Sequence, residues 1–127
     1  MKKKIFVYGT LREGGRLRPS YPMTTLEKGI TARGFKMIDS GYGYPIAIET
    51  DEDYQIVGDI VEADTELFAR VARMEEMAGY YTKKLIIHNQ PAAMFLQHGD
   101  TFSPNLEHIE DWLKYVENGI RTENSQI

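Results

Sequence analysis

The alternation of apolar and polar positions marks out strands first. Lys4-Ile5-Phe6-Val7-Tyr8 is a short apolar run rich in β-formers that stops at Gly9, the pattern of a buried strand feeding a turn. Residues Thr10 to Pro22 carry Gly14, Gly15, Pro19 and Pro22 and predict a long loop. From Leu26 to Ile38 the alternation is loose, and Gly29 and Gly34 predict bends or bulges that curve a sheet. Gly41, Gly43 and Pro45 punctuate before Ile46-Ala47-Ile48-Glu49. The acidic tip Asp51-Glu52-Asp53 separates that run from the β-rich stretch Tyr54 to Val61, which predicts a hairpin with a solvated turn.

The period then lengthens. Asp64 or Thr65 caps a helix with Leu67, Phe68, Val71, Met74 and Ala78 along one face and Gly79 as its stop. Tyr80 to Ile87 and Ala92 to Leu96 read as two further strands around an Asn89-Gln90-Pro91 turn. Ser103 and Pro104 begin a last helix, with Leu106, Ile109, Leu113 and Val116 on one face and Gly119 beyond its end. Strands with one helix inserted and one appended, without a βαβ rhythm, predict an α+β domain with a curved, mixed, mainly antiparallel sheet. We expect a single domain over residues 1–121 and a polar C-terminal tail over 122–127.

Composition narrows the classes. With 127 residues, 42% hydrophobic and 27% charged, the chain suits one globular domain. It has no cysteine, which excludes disulfides, thiolate zinc sites and cysteine nucleophiles. Lys2, Lys3 and Lys4 before Ile5 imitate a signal peptide, but Gly9 ends the apolar run early, and no stretch approaches the roughly 18 apolar residues of a membrane span. A cytoplasmic protein without a membrane partner is the expectation. A net charge of −4 argues against nucleic acid as a partner, so Arg12, Arg16 and Arg18 read as a solvated basic loop. His88, His98 and His108 form no compact ligand motif, and Asp51-Glu52-Asp53 lacks calcium-loop spacing, so no metal is expected.

One residue breaks the hydrophobic pattern. At about 100° per residue, Glu75 falls within the arc of Leu67, Phe68, Val71 and Ala78, whereas Glu76 projects to the far side. A carboxyl there either sits in a cavity with a raised pKa, as a general acid/base requires, or leaves the core at the helix end and pairs with Lys83 or Lys84. Periodicity leaves both open. The Tyr8-Gly9-Thr10-Leu11 turn is similarly ambiguous: it is an ordinary strand end, or a set of backbone N–H groups that converge on an anion because Gly9 has no side chain.

These residues resemble the γ-glutamyl cyclotransferase-like (AIG2-like) family. Tyr8-Gly9-Thr10-Leu11 matches its Tyr-Gly-(Ser/Thr)-Leu turn after the first strand. Tyr44-Pro45, the strand segment Ile56-Val57-Gly58-Asp59, and Met74-Glu75 followed by Tyr81 and Lys83 match the rest, in order, from Lys4 to Leu96. The resemblance implies a small closed or nearly closed β-barrel with flanking helices. It also implies a cofactor-independent enzyme that cyclises a γ-glutamyl amine to 5-oxoproline and the free amine. Glu75 would be its general acid/base, with Tyr8, Gly9, Thr10, Leu11 and Tyr81 binding substrate. Asp59 in place of Glu, Ala72 where Asp is frequent and Lys83 in place of Arg depart from the family pattern and bear on substrate identity. The Gly14-Gly15-Arg16-Leu17 loop is expected at the pocket mouth, where it would bear on the leaving group. The alternative is a binding module that keeps the pocket without turnover. The partner in either case is a small molecule; oligomeric state is not legible in the sequence.

Overall fold

A computed structural model describes residues 1–102 and 106–125 of the chain. Among the described residues seven strands form: β1 (Lys2–Val7), β2 (Thr24–Arg33), β3 (Phe35–Asp39), β4 (Pro45–Glu49), β5 (Gln55–Asp64), β6 (Tyr81–Ile87) and β7 (Gln90–Leu96). Helix α1 (Thr65–Met77) lies between β5 and β6, and α2 (Trp112–Ser125) follows the last strand. Five strands make one sheet in the order β2-β5-β1-β7-β6, while β3 and β4 pair separately. Within the large sheet β1 and β7 are parallel and the other neighbours antiparallel.

The continuous apolar run of β1 follows from its position at the centre. Phe6 and Tyr8 pack into a core on one face, with Met37, Ile56, Met94, Ile109 and Trp112; Ile5 and Val7 pack on the other, with Val61, Leu67, Val71 and Phe95. A strand covered on both faces has no reason to alternate. Gly58 in β5 permits close pairing with β1, because a Cβ there would stand 2.5 Å from the Val7 carbonyl oxygen.

Four expectations are corrected. Among the described residues the sheet does not close into a barrel: β2 and β6 are its edges. At Gly34 (φ +91) the chain turns out of β2, and β3–β4 forms a separate ribbon. The ribbon is tied to the rest by isolated backbone bonds, from Gln97 N, just past β7, to Ala47 O (3.0 Å) and from Ile109 N, in the segment ahead of α2, to Met37 O (2.8 Å). The Asp51-Glu52-Asp53 tip therefore links two sheets and is no hairpin, since β4 pairs with β3 and β5 with β1 and β2. Finally, the last helix begins at Trp112 and runs past Gly119 to Ser125, so residues 122–125 belong to it; Ser103 and Pro104 lie outside the described residues. Leu106 and Ile109 keep helical spacing, but Ile109 N and Glu110 O are used instead to bridge Met37 and Val57. The β6–β7 turn also moves: His88 and Asn89 both take positive φ, as in a two-residue type I′ hairpin, and β7 starts at Gln90.

One buried charge network ties the loop after β1 to this scaffold. Asp59 on β5 has no exposed surface and accepts from Arg12 Nη2 (3.4 Å), Glu13 N (3.3 Å) and Gly29 N (2.9 Å). Arg12 Nη1 reaches on to Asp111 Oδ1 at 3.0 Å, just before α2. Gly29 sits where the β2–β5 register shifts, so the predicted bulge delivers a donor to Asp59. Removing one member of a buried pair strands the other charge. Asp59→Ala should therefore destabilise the fold by about 3–5 kcal/mol in denaturant titrations, and Arg12→Leu combined with Asp59→Leu should cost less than the two single losses added.

Candidate active site

The helix brings Glu75 to its place. Asp64 caps α1, its Oδ1 accepting from Leu67 N at 2.7 Å, and the stripe of Leu67 and Val71 buries against the sheet. At the other end Gly79 takes φ +97, which a side chain would resist. Its N–H reaches Glu76 O (3.1 Å) and the Tyr80 N–H reaches Glu75 O (3.0 Å), the paired bonds of a Schellman motif. That reversal folds Tyr80 back over the turn carrying Glu75.

Glu75 and Tyr80 line a recess of about 80 Å³ together with Tyr8, Gly9, Thr10, Leu11, Arg16, Tyr44, Pro45 and Met74, among others. Burial pushes the Glu75 carboxyl up to about 7. No cation among the described residues pairs with it. Lys83 instead meets Glu49 at 2.5 Å, so the ion-pair alternative for Glu75 is not realised. Glu76 is exposed.

The strand end supplies the opposite wall. Gly9 is required by close approach, because a Cβ there would stand 2.5 Å from Pro45 Cγ. The loop is held by bonds from Arg12 N to Gly9 O (3.0 Å), Gly15 N to Arg12 O (2.7 Å) and Leu17 N to Thr10 O (3.0 Å). None of these is donated by Gly9, Thr10 or Leu11, whose N–H groups stay out of the loop's own bonding. Thr10 and Leu11 are nevertheless buried. Backbone N–H groups at such a turn suit an anion or a developing oxyanion.

The two tyrosines are fixed through their hydroxyls. Tyr8 donates its O–H to the Phe95 carbonyl, and Tyr80 donates its own to the Pro45 carbonyl at 2.5 Å. Burial, then the neighbouring tyrosine and Glu75, raise the Tyr8 hydroxyl well above its ordinary value; burial, then Glu75 and Tyr44, raise that of Tyr80. With its one proton committed, each hydroxyl offers the recess lone pairs only.

Tyr8, Gly9, Thr10, Leu11 and Glu75 are thus brought together, and Tyr81 is not. It stands outside the recess at the start of β6, stacked on His98 with ring centroids 4.6 Å apart. Tyr80 occupies the position expected of it. The signal was present: with Gly79 as the left-handed cap residue, the next residue is the one that returns onto the helix's last turn. Asp59 and Lys83, two of the departures from the family pattern, also lie outside the recess, as does Ala72. Among the described residues no three His, Asp or Glu side chains gather as a metal site, and no helix is long and apolar enough to cross a membrane.

A search of curated proteins finds no sequence match. Several solved structures share the fold. An uncharacterized protein of Pyrococcus horikoshii aligns with a TM-score of 0.72 at 23% identity, covering 98% of this chain and 97% of its own. A uropathogenic Escherichia coli-specific protein aligns at 0.75 and 19%, covering 92% and 97%. An AIG2-like protein of Mus musculus, also called GGACT, aligns at 0.68 and 19%, covering 87% and 88%. The sequence itself matches the family described as gamma-glutamyl cyclotransferase, AIG2-like, over residues 5–114. With that match across most of its length, and the matching fold around it, the chain belongs to the AIG2-like γ-glutamyl cyclotransferase family.

Proposed function

We propose that the chain cyclises γ-glutamyl amines to 5-oxoproline and the free amine, with Glu75 as general acid/base. The observation that carries this is a carboxyl pushed up to about 7 in a recess, without a cationic partner among the described residues, facing a turn of backbone N–H groups. A binding module would gain little from so costly a group, which favours turnover over the non-catalytic alternative.

The chemistry follows from the donors and acceptors. The substrate's α-ammonium meets Glu75 and the lone pairs of the Tyr8 and Tyr80 hydroxyls, and gives a proton to Glu75. The freed amine attacks the γ-amide carbonyl carbon and a new C–N bond closes a five-membered ring. Tethering removes most of the entropic barrier, so no external nucleophile is needed. Negative charge moves to the carbonyl oxygen, where the N–H groups of the Gly9 turn can receive it. As that charge returns, Glu75 delivers its proton to the departing nitrogen, the original C–N bond breaks, and the carboxylate so regenerated takes the second proton from the ring nitrogen, which the released amine carries away as its ammonium. One carboxyl serves all three transfers, which a pKa near 7 allows.

Incubation with γ-glutamyl amines should release 5-oxoproline; free glutamate instead would identify hydrolysis, and no product from any amine would defeat the reading. Glu75→Gln should lower kcat by about 10²- to 10⁴-fold, with Glu76→Gln near wild type. For the wild type, kcat/KM should rise with pH to a plateau above about 7, as Glu75 ionises.

Stability should move the other way. The folded state keeps the Glu75 proton between the ordinary 4.5 and about 7, so raising the pH through that window destabilises the fold, by about 3 kcal/mol in full. Glu75→Gln should accordingly be more stable than wild type at pH 8, and the gap should close toward pH 4, measured by thermal or denaturant unfolding.

A further inference from the structure

The three arginines of the loop after β1 have different fates. Arg12 is buried against Asp59 and Asp111. Arg18 donates to Leu11 O, Met23 O and Thr25 Oγ1, at 3.3, 2.8 and 2.8 Å, and holds the loop to the start of β2. Arg16 is exposed and forms no hydrogen bond or ion pair with a described residue. Yet its backbone is anchored, since Gly15 N and Leu17 N on either side bond to Arg12 O and Thr10 O. The chain therefore holds an unused cation at a fixed place.

That place is a junction. Among the described residues, Arg16 and Glu75 are the two charged ones that line the recess. Arg16 and Thr10 also line a second, larger cavity of about 880 Å³, between residues 14–16, the Gly41 to Gly43 loop and the α2 side chains Trp112, Leu113 and Val116. The far wall of the junction is bare: a Cβ at Gly43 would stand 3.9 Å from Arg16 Nη2. The Gly41 to Gly43 loop is itself braced, by Ser40 Oγ donating to Tyr44 O at 2.7 Å and Gly41 N to Asp39 Oδ1 at 2.8 Å. The acidic groups of the larger cavity among the described residues, Asp39 and Glu117, are already engaged, Asp39 by Tyr115 Oη at 2.6 Å.

We propose that Arg16 is a specificity-determining residue that selects γ-glutamyl substrates whose leaving amine carries a carboxylate close to the scissile nitrogen. This rests on the cyclising function proposed above. In that chemistry the α-amine sits at Glu75 and the carbonyl at the Gly9 turn, so the leaving nitrogen is the part of the amide that points out past Thr10. A cation that borders the recess itself meets an anion only a few bonds from that nitrogen. The carboxylate of an α-amino acid leaving group is so placed, and the amino acid's side chain then faces the larger cavity. A carboxylate at the end of a long alkylamine lies beyond reach, and a plain alkylamine leaves the Arg16 charge unanswered.

The test compares γ-glutamyl-alanine with γ-glutamyl-alaninamide, which keeps the size and removes the charge. Wild-type enzyme should favour the acid by roughly 10-fold or more in kcat/KM, the range of a charge-assisted hydrogen bond. In Arg16→Gln the ratio should fall to near one, and in Arg16→Lys it should lie between. The wild-type ratio should also shrink as salt rises from about 0.05 to 0.5 M, which probes the same pairing without any substitution. An acid-to-amide ratio near one in the wild type overturns the proposal. So does a ratio unchanged in Arg16→Gln, the result expected if Arg16 served the glutamyl half of the substrate. If the wild type turns over neither compound nor any other γ-glutamyl amine, the cyclising reading fails, and the role of Arg16 fails with it.

Discussion

The site depends on a carboxylate that never touches it. Asp59 lies under the loop after β1 and gathers a guanidinium, the N–H of Glu13 and the N–H of the Gly29 bulge onto its two oxygens. Such an arrangement is a poor way to gain stability: Arg12 Nε is buried with no acceptor among the described residues, and desolvating both charges is expensive. What it supplies is position. With Arg12 held, the Gly9 to Leu11 turn cannot drift from β5, and the N–H groups of that turn keep their direction. The same network reaches Asp111 and so registers α2, one wall of the larger cavity, to the recess.

Glu75 shows the complementary logic. Its helix is oriented by ordinary apolar burial of Leu67 and Val71, and the carboxyl is carried inward because it shares their face. The fold tolerates the cost of that burial, and raised proton affinity is the result. Tyr80 arrives by a separate route, through the left-handed cap at Gly79, and Pro45 fixes its hydroxyl. The Tyr44-Pro45 segment thus meets both halves of the site, packing on Gly9 with its ring and receiving Tyr80 with its carbonyl.

Much of this was legible in the sequence where one periodicity decides the outcome. The unbroken apolar run Ile5 to Tyr8 announced a buried strand, and the helical phase separated Glu75 from Glu76. What escaped was decided by tertiary bonds that periodicity does not record. Leu106 and Ile109 are spaced as for a helix, but the backbone at Ile109 and Glu110 is drawn into bridging two sheets. The Asp51 to Asp53 tip reads as a hairpin because its flanks are both β-rich, while the choice of partner strand was made earlier, at Gly34. Closure of the barrel failed for the same reason: the ribbon it needs is attached at single bonds rather than along a ladder. Tyr81 was preferred to Tyr80 by motif spacing, whereas a cap geometry, shifted by one residue, determines which ring turns inward. The basic loop was read as three equivalent solvated charges, and only contacts distinguish the two structural arginines from Arg16.

The tyrosine hydroxyls have one more implication. Because Tyr8 and Tyr80 spend their protons on the carbonyls of Phe95 and Pro45, the polar groups they turn toward Glu75 can receive hydrogen bonds and give none. A free ammonium brings three N–H donors and a charge to these acceptors, whereas an acylated nitrogen brings one N–H and no charge. Under the proposed chemistry the recess therefore favours substrates whose amino end is free.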